Sequence, residues 1–189
     1  MNNFINLVIS CFYFFFPAYL TNMIPSLSST LGIFQFLAKP IDAGKQFMGK
    51  PLLGDHKTWR GIFTGSLIGI LVIFLQKWLF INCPTMQSIS IINYSNVNIW
   101  NFALSMTFGV IFGDLLFAFI KRRLNLKPGA KFMPFDQINN VLGAALFLYV
   151  FSRIEIDLSV WVVILFLTFI LHIGATQIGY RLGLSKSQW

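Results

Sequence analysis

An aspartate, three consecutive cations, a tight turn and a second aspartate follow one another between Gly113 and Gln137, in the stretch GDLLFAFIKRRLNLKPGAKFMPFDQ. Asp114 interrupts an apolar segment seven residues before Lys121. Seven helical residues are two turns, so the two side chains share a face, roughly 10 Å apart along the axis. A carboxylate inside a membrane segment is costly unless it is paired or faces water, and it marks a functional site by default. Asp114 is thus read as a metal ligand or polar-cavity wall, against a structural salt bridge to a nearby Lys or Arg. Asp136 follows Pro134 and opens the next apolar run. The short connection makes the two runs antiparallel neighbours, which brings Asp136 to the depth of Asp114 or slightly nearer the loop. An anion held by Lys121 can be bridged to Asp114 through a divalent metal, and magnesium suits this, because it takes few carboxylates, keeps waters and is completed by phosphate oxygens. The Pro128-Gly129 turn either lines a phosphate with its backbone N–H groups or simply connects two helices. Lys121, Arg122 and Arg123 alone would be headgroup contacts; beside two aspartates they become candidate anion ligands.

A second polar stretch, residues 39–60, repeats the theme. Asp42 follows Pro40 as Asp136 follows Pro134, and Asp55 follows Gly54 as Asp114 follows Gly113. The run Gly54-Asp55-His56-Lys57-Thr58-Trp59-Arg60-Gly61 is dense in donors. His56 is a candidate phosphate contact without a catalytic role. Trp59 is favoured as an interface anchor over a base-stacking platform.

These groups need a scaffold. The 189-residue chain is 56% hydrophobic and only 11% charged, where a soluble domain carries about 25% charged residues, so its solvent is mostly lipid. Apolar runs at 4–22, 61–81, 100–120, 135–152 and 159–180 predict five spans, each near the ~20 residues a bilayer needs. Residues 23–38 read as an interfacial helix or a re-entrant piece, and residues 82–99 as an uncharged connection. The expected fold is all-α and integral to the membrane: one transmembrane domain over 1–189, with polar loops at 39–60 and 121–134. Five spans put both loops and the C-terminal tail on one side, which then holds twelve of the fourteen cations, leaving Lys77 and Arg153 opposite. The positive-inside rule makes that side cytoplasmic, with the N-terminus out and the C-terminus in. The first run lacks a cationic leader region and reads as a span, not a cleaved signal. Clustered cations between spans account for the net charge of +8 without a nucleic-acid partner. Cys11 and Cys83 have no metal or disulfide spacing. His172, flanked by Thr168 and Thr176, reads as a helix-packing histidine.

The segments KPIDAGK, GDHKTWRG, GDLLFAFIKRRL and KPGAKFMPFDQ resemble those of the CDP-archaeol synthases, over most of residues 36–152. The resemblance implies a small, five-span, magnesium-dependent CTP transferase of membrane lipid synthesis, related to the phosphatidate cytidylyltransferases. In that wider group the GDL aspartate and the aspartate after the PG turn bind metal, which here are Asp114 and Asp136. The wider group continues the turn with His-Gly-Gly and ends in Asp-Arg-x-Asp. This chain has Ala130-Lys131-Phe132 and then Asp136-Gln137-Ile138-Asn139, so the second carboxylate is missing.

The implied reaction is CTP plus a lipid phosphate giving CDP-lipid and pyrophosphate. The expected catalytic residues are Asp114, Asp136, Lys121 and Lys57, with magnesium on the two aspartates. The expected CTP and phosphate contacts are Asp42, Gly54, Asp55, His56, Lys57, Thr58, Arg60, Gly113, Lys121, Arg122, Arg123, Pro128, Gly129 and Gln137. The expected acceptor is 2,3-di-O-geranylgeranylglycerol 1-phosphate in the bilayer, with phosphatidic acid as the alternative. The expected location is the cell (inner) membrane, multi-pass, with the active site facing the cytoplasm. A small anion transporter is the rival from another class. Transporter sites lie near the midplane, whereas these acids gather at one rim.

Overall fold

The computed structural model describes residues 3–127, 130 and 132–181. Pro128, Gly129, Lys131 and Lys186 lie outside the described residues, as does the side chain of Arg181. The described chain is mostly helical: α1 (Asn3–Thr30), α2 (Trp59–Asn82), α3 (Pro84–Ile89), α4 (Ile99–Arg123), α5 (Phe135–Phe147) and α6 (Leu158–Arg181). A small antiparallel hairpin, β1 (Gln46–Phe47) with β2 (Lys50–Pro51), folds within the first polar loop. Three helices are long and apolar enough to cross a membrane, at Phe4–Thr30, Trp59–Asn82 and Ile99–Arg123, and Leu158–Gly174 is a shorter apolar helix. α5 has 13 residues and runs on through a π-helical turn, Leu148–Ser152.

The largest departure from expectation is α1. It does not stop near residue 22 but continues for 28 residues, through Pro17 and Pro25. Residues 23–30 are its last turns, not a separate interfacial or re-entrant piece. A proline inside a helix leaves the carbonyl four residues back without its N–H partner, and lipid offers no substitute. Here α2 supplies a donor at one break and packs closely against the other. Gln76 Nε2 donates to Tyr13 O at 2.6 Å, replacing the bond Pro17 cannot make. Opposite the carbonyl freed by Pro25, α2 has Gly65, where a Cβ would stand 2.7 Å from Thr21 O. The Gln76 amide is itself fixed, since Tyr94 donates its hydroxyl to Gln76 Oε1 at 3.0 Å.

α4 and α5 make the most extensive helix contact. Small residues permit it: a Cβ on Gly109 would lie 2.7 Å from Gly143 O and 2.9 Å from Ala144 Cα. Gly113 meets the Asn139 backbone in the same seam, so its lack of a side chain serves packing. Apolar side chains fill the end of the bundle away from the polar loops, among them Cys11, Phe14, Phe15, Phe102, Met106 and Ile164, all essentially inaccessible. At the other end, the C-termini of α1 and α4 and the N-terminus of α2 meet the first polar loop, and the N-terminus of α5 meets the end of α4. Replacing Gly109 with Ala is expected to destabilise the protein by about 1–3 kcal/mol through overpacking of this seam. Gly174→Ala, with nothing described within 4 Å of the added Cβ, is expected to be neutral or mildly stabilising. Thermal unfolding of both variants in detergent checks the contrast.

Candidate active site

A cavity of about 490 Å³ opens at the polar-loop end between α1, α2 and α4. Its walls include Asp55, His56, Lys57 and Thr58 from the loop, Arg60 from the start of α2, and Asp114 from α4. These six were all expected from the sequence. The fourth wall was not: Thr21, Asn22, Pro25, Ser26 and Ser29 of α1 also face the space. Their spacing of one, three, one and three residues is a helical stripe. That periodicity was readable, but a charge-free stripe in a Phe-rich run with two prolines gave little reason to look for it.

The loop is folded so as to deliver Lys57. Ile41 N donates to Lys57 O at 2.9 Å and Trp59 N to Lys39 O at 3.1 Å, so 39–41 and 57–59 run as an antiparallel pair. The Thr58 hydroxyl caps α2 by accepting from Gly61 N at 3.3 Å. Lys57 Nζ then reaches both oxygens of Asp114, at 2.7 and 2.6 Å. The two side chains remain 27% and 33% accessible, so the pair borders the cavity and is not sealed in the core. Arg60 Nη2 donates to Ser29 Oγ at 2.6 Å, tying the start of α2 to the end of α1. Among the described residues, Arg60 has no carboxylate partner.

Asp42 organises the loop from inside. Its carboxylate accepts from Gly44 N (3.1 Å), Leu53 N (2.9 Å) and Gly54 N (3.1 Å), and its residue is buried. Burial works to raise its carboxyl, but the backbone N–H groups outweigh that and hold it below the usual carboxylate range. Asp42 and Gly54 therefore shape the loop, and neither is among the residues that line the cavity.

A second cluster lies where α4 ends and α5 begins. Lys121 Nζ donates to both oxygens of Asp136 at 2.9 Å, and Phe132 N donates to the same carboxylate at 2.9 Å. Asn139 abuts Gly113, and Asp136 precedes Asn139 by three residues. Asp136 therefore stands roughly 4.5 Å nearer the loops than that crossing. Its charge also acts on His172 of α6, which gives that residue an electrostatic neighbour that sequence reading missed. Arg122 and Gln137 are buried beside this cluster, and Arg122 Nε and Gln137 Oε1 lack hydrogen-bond partners among the described residues. Arg123 turns to the hairpin instead. It donates to the carbonyls of Phe47, Lys50 and Pro51 and lies over the rings of Phe47 and Phe119, 5.4 and 4.9 Å from their centroids. Lys50 Nζ returns a bond to Arg123 O at 3.0 Å. Arg123 thus latches the loop to α4. The two aspartates expected to work together each have both oxygens held by a different lysine, and among the described residues no three His, Cys, Asp or Glu side chains cluster as metal ligands.

A family model described as CarS-like CDP-archaeol synthase matches residues 4–189. A CDP-archaeol synthase of Methanococcoides burtonii is 36% identical over 182 residues, covering 92% of this chain and 99% of that protein. One from Methanococcus aeolicus is 32% identical over 187 residues, covering 98% of each. One from Picrophilus torridus is 34% identical over 190 residues, covering 97% of each. A solved structure described as an intramembrane enzyme for archaeal membrane lipids biosynthesis superimposes with a TM-score of 0.67 at 22% identity, covering 87% of this chain and 90% of that one; this likeness shows a shared fold.

The Asp42 arrangement sets a pH dependence. A carboxyl held low in the folded state stabilises the fold above its unfolded pKa of about 4, and that stabilisation is lost as pH falls through the folded value. Asp42→Ala is expected to cost about 1–3 kcal/mol at pH 7, because three N–H groups lose their acceptor. It is also expected to flatten the acid limb of the stability curve, as measured by unfolding in detergent at pH 7 and below pH 4.

Proposed function

Because the chain belongs to the CDP-archaeol synthase family, we propose that it is a membrane cytidylyltransferase that moves CMP from CTP to a lipid phosphate, with a di-ether glycerol phosphate, 2,3-di-O-geranylgeranylglycerol 1-phosphate, as the acceptor. The observation that carries the reading is the cavity in which Asp114, from a helix long enough to cross a membrane, meets Lys57 and Arg60. In the reaction, an oxygen of the lipid phosphate bonds to the α-phosphorus of CTP. The α–β anhydride bond breaks and pyrophosphate leaves. The nucleophile is already an anion, so no Ser, Cys or His nucleophile is required. Catalysis becomes positioning and charge neutralisation.

Lys57 and Lys121 are oriented in advance, since each Nζ is held by both oxygens of an aspartate. On binding of the triphosphate, each lysine can turn part of its donor set to phosphate oxygens. Arg60, without a carboxylate partner among the described residues, offers a further cation to either substrate. Arg122, buried near the second cluster, adds positive potential there. Asp114 and Asp136 come from packed helices at nearly the same depth, which fits magnesium, a cation that takes one or two protein carboxylates and completes its shell with water and phosphate. When bound, magnesium would neutralise phosphate oxygens and the leaving pyrophosphate. Asp114 and Asp136 would be its protein ligands.

Five spans, with the polar loops and the cavity mouth facing the cytoplasm of a cell membrane, complete the proposal. The charge bias supports this orientation. Membrane-impermeant thiol labelling of Lys45→Cys in a background lacking Cys11 and Cys83 is expected only from the cytoplasmic side. Purified protein with labelled CTP, magnesium and the di-ether acceptor is expected to form CDP-lipid, and to do so more poorly with phosphatidic acid. Asp114→Asn and Lys57→Ala should each lower turnover by roughly 10²- to 10³-fold, the usual cost of losing one preorganised electrostatic group. EDTA should abolish turnover. If the wild-type protein yields no CDP-lipid from either acceptor, the reading is wrong.

A further inference from the structure

The α1 wall of the cavity has a use that the phosphate-binding groups leave open. Asn22 lies eight residues before the end of α1, roughly 12 Å below it. An amide at that depth is unfavourable in lipid unless something polar meets it. Asn22 and Ser26 line the cavity, and neither has a side-chain hydrogen-bond partner among the described residues. One turn nearer the loops, Ser29 is held by Arg60, the cavity's cation without a carboxylate. Beside this polar stripe, offset by one residue or about 100°, Met23 and Leu27 are exposed. A ligand against this part of α1 would meet a cation at the rim, hydroxyl and amide groups below it, and apolar side chains next to them. A lipid phosphate carries these three chemistries together: a phosphate for the rim, glycerol oxygens below it, and chains that leave sideways along the neighbouring apolar side chains. CTP has no apolar portion to match it.

We propose that Asn22, Ser26 and Ser29, capped by Arg60, form the subsite for the phosphate-and-glycerol head of the lipid acceptor, with its chains leaving along Met23 and Leu27. The inference rests on the cytidylyltransferase reading. Arg60 holds the acceptor phosphate at the rim, beside the Lys57–Asp114 pair that takes the nucleotide phosphates. Asn22 Nδ2 and the Ser26 hydroxyl donate to the glycerol oxygens.

The test is a kinetic split in mixed micelles. Asn22→Leu and Ser26→Leu are each expected to raise KM for the di-ether acceptor, as surface mole fraction, by about tenfold, the scale of one lost hydrogen bond. KM for CTP should not move. Chain-free glycerol phosphate should compete far more weakly than the lipid in the wild-type protein. Equal rises in both KM values, no change in either, or glycerol phosphate competing as well as the lipid would each overturn the subsite. Should the leucine variants fail to fold, Asn22→Ala and Ser26→Ala remove the same donors without added bulk, and the same split is read on them. A wild-type protein that makes no CDP-lipid fails the cytidylyltransferase reading instead. Turnover with the split absent fails only this one.

Discussion

Asp114 stands nine residues inside the end of a helix that is long enough to cross a membrane, and Lys57 is the cation that makes its position tolerable. The contact joins two parts of the chain 57 residues apart. It needs the polar loop to be folded, because Lys57 is delivered by the pairing of 39–41 with 57–59 and by the closed turn around Asp42. It also needs α4 to be seated, which the glycines facing α5 allow. The cavity is what remains when those requirements are met. α2 begins at the loop, α1 ends beside it, and Asp114 looks into the space between them. A partly accessible ion pair of this kind contributes little net stability. Its importance is positional: it holds Lys57 and Asp114 together at the edge of the cavity.

The same rule governs the backbone. Lipid cannot satisfy a carbonyl that a proline has orphaned, so another helix must approach or reach across. Gln76 reaches across to Tyr13, and Gly65 permits approach to Thr21. Two prolines that look like breaks in an isolated run become features that fix how α1 and α2 pack. The continuation of α1 past Pro25 then places Asn22, Ser26 and Ser29 on the cavity. A residue class that ends helices in water thereby extends the site in a membrane protein.

Much of the site was legible because charge is scarce in this chain. Asp55, His56, Lys57, Arg60 and Asp114 stand out where only one residue in nine is charged, and the structure brings them together. Charge type does not reveal employment, however. Asp42 spends its carboxylate on three backbone N–H groups, and Arg123 spends its guanidinium on the carbonyls of the hairpin. Both were expected among the nucleotide and phosphate contacts, and only the path of the loop shows the backbone groups that they hold. The α1 stripe was obscured for the opposite reason: Ser, Thr and Asn carry no charge, and Ser and Thr are common in membrane helices. Gly113 looked like part of a ligand motif because it precedes Asp114, whereas its neighbour in space is the Asn139 backbone.

Local chemistry in the sequence was enough to determine the solvent, the helical class, the approximate bounds of α2, α4 and α6, and the gathering of acids and cations at one rim. Hydropathy and charge are properties of residues, and they survive without coordinates. The tertiary structure alone decided which lysine neutralises which aspartate, which charges are spent on folding the loop, and that α1 forms a wall of the cavity. Those are properties of pairs distant in the chain, set by where prolines and glycines let helices meet, and the type of either residue does not encode them.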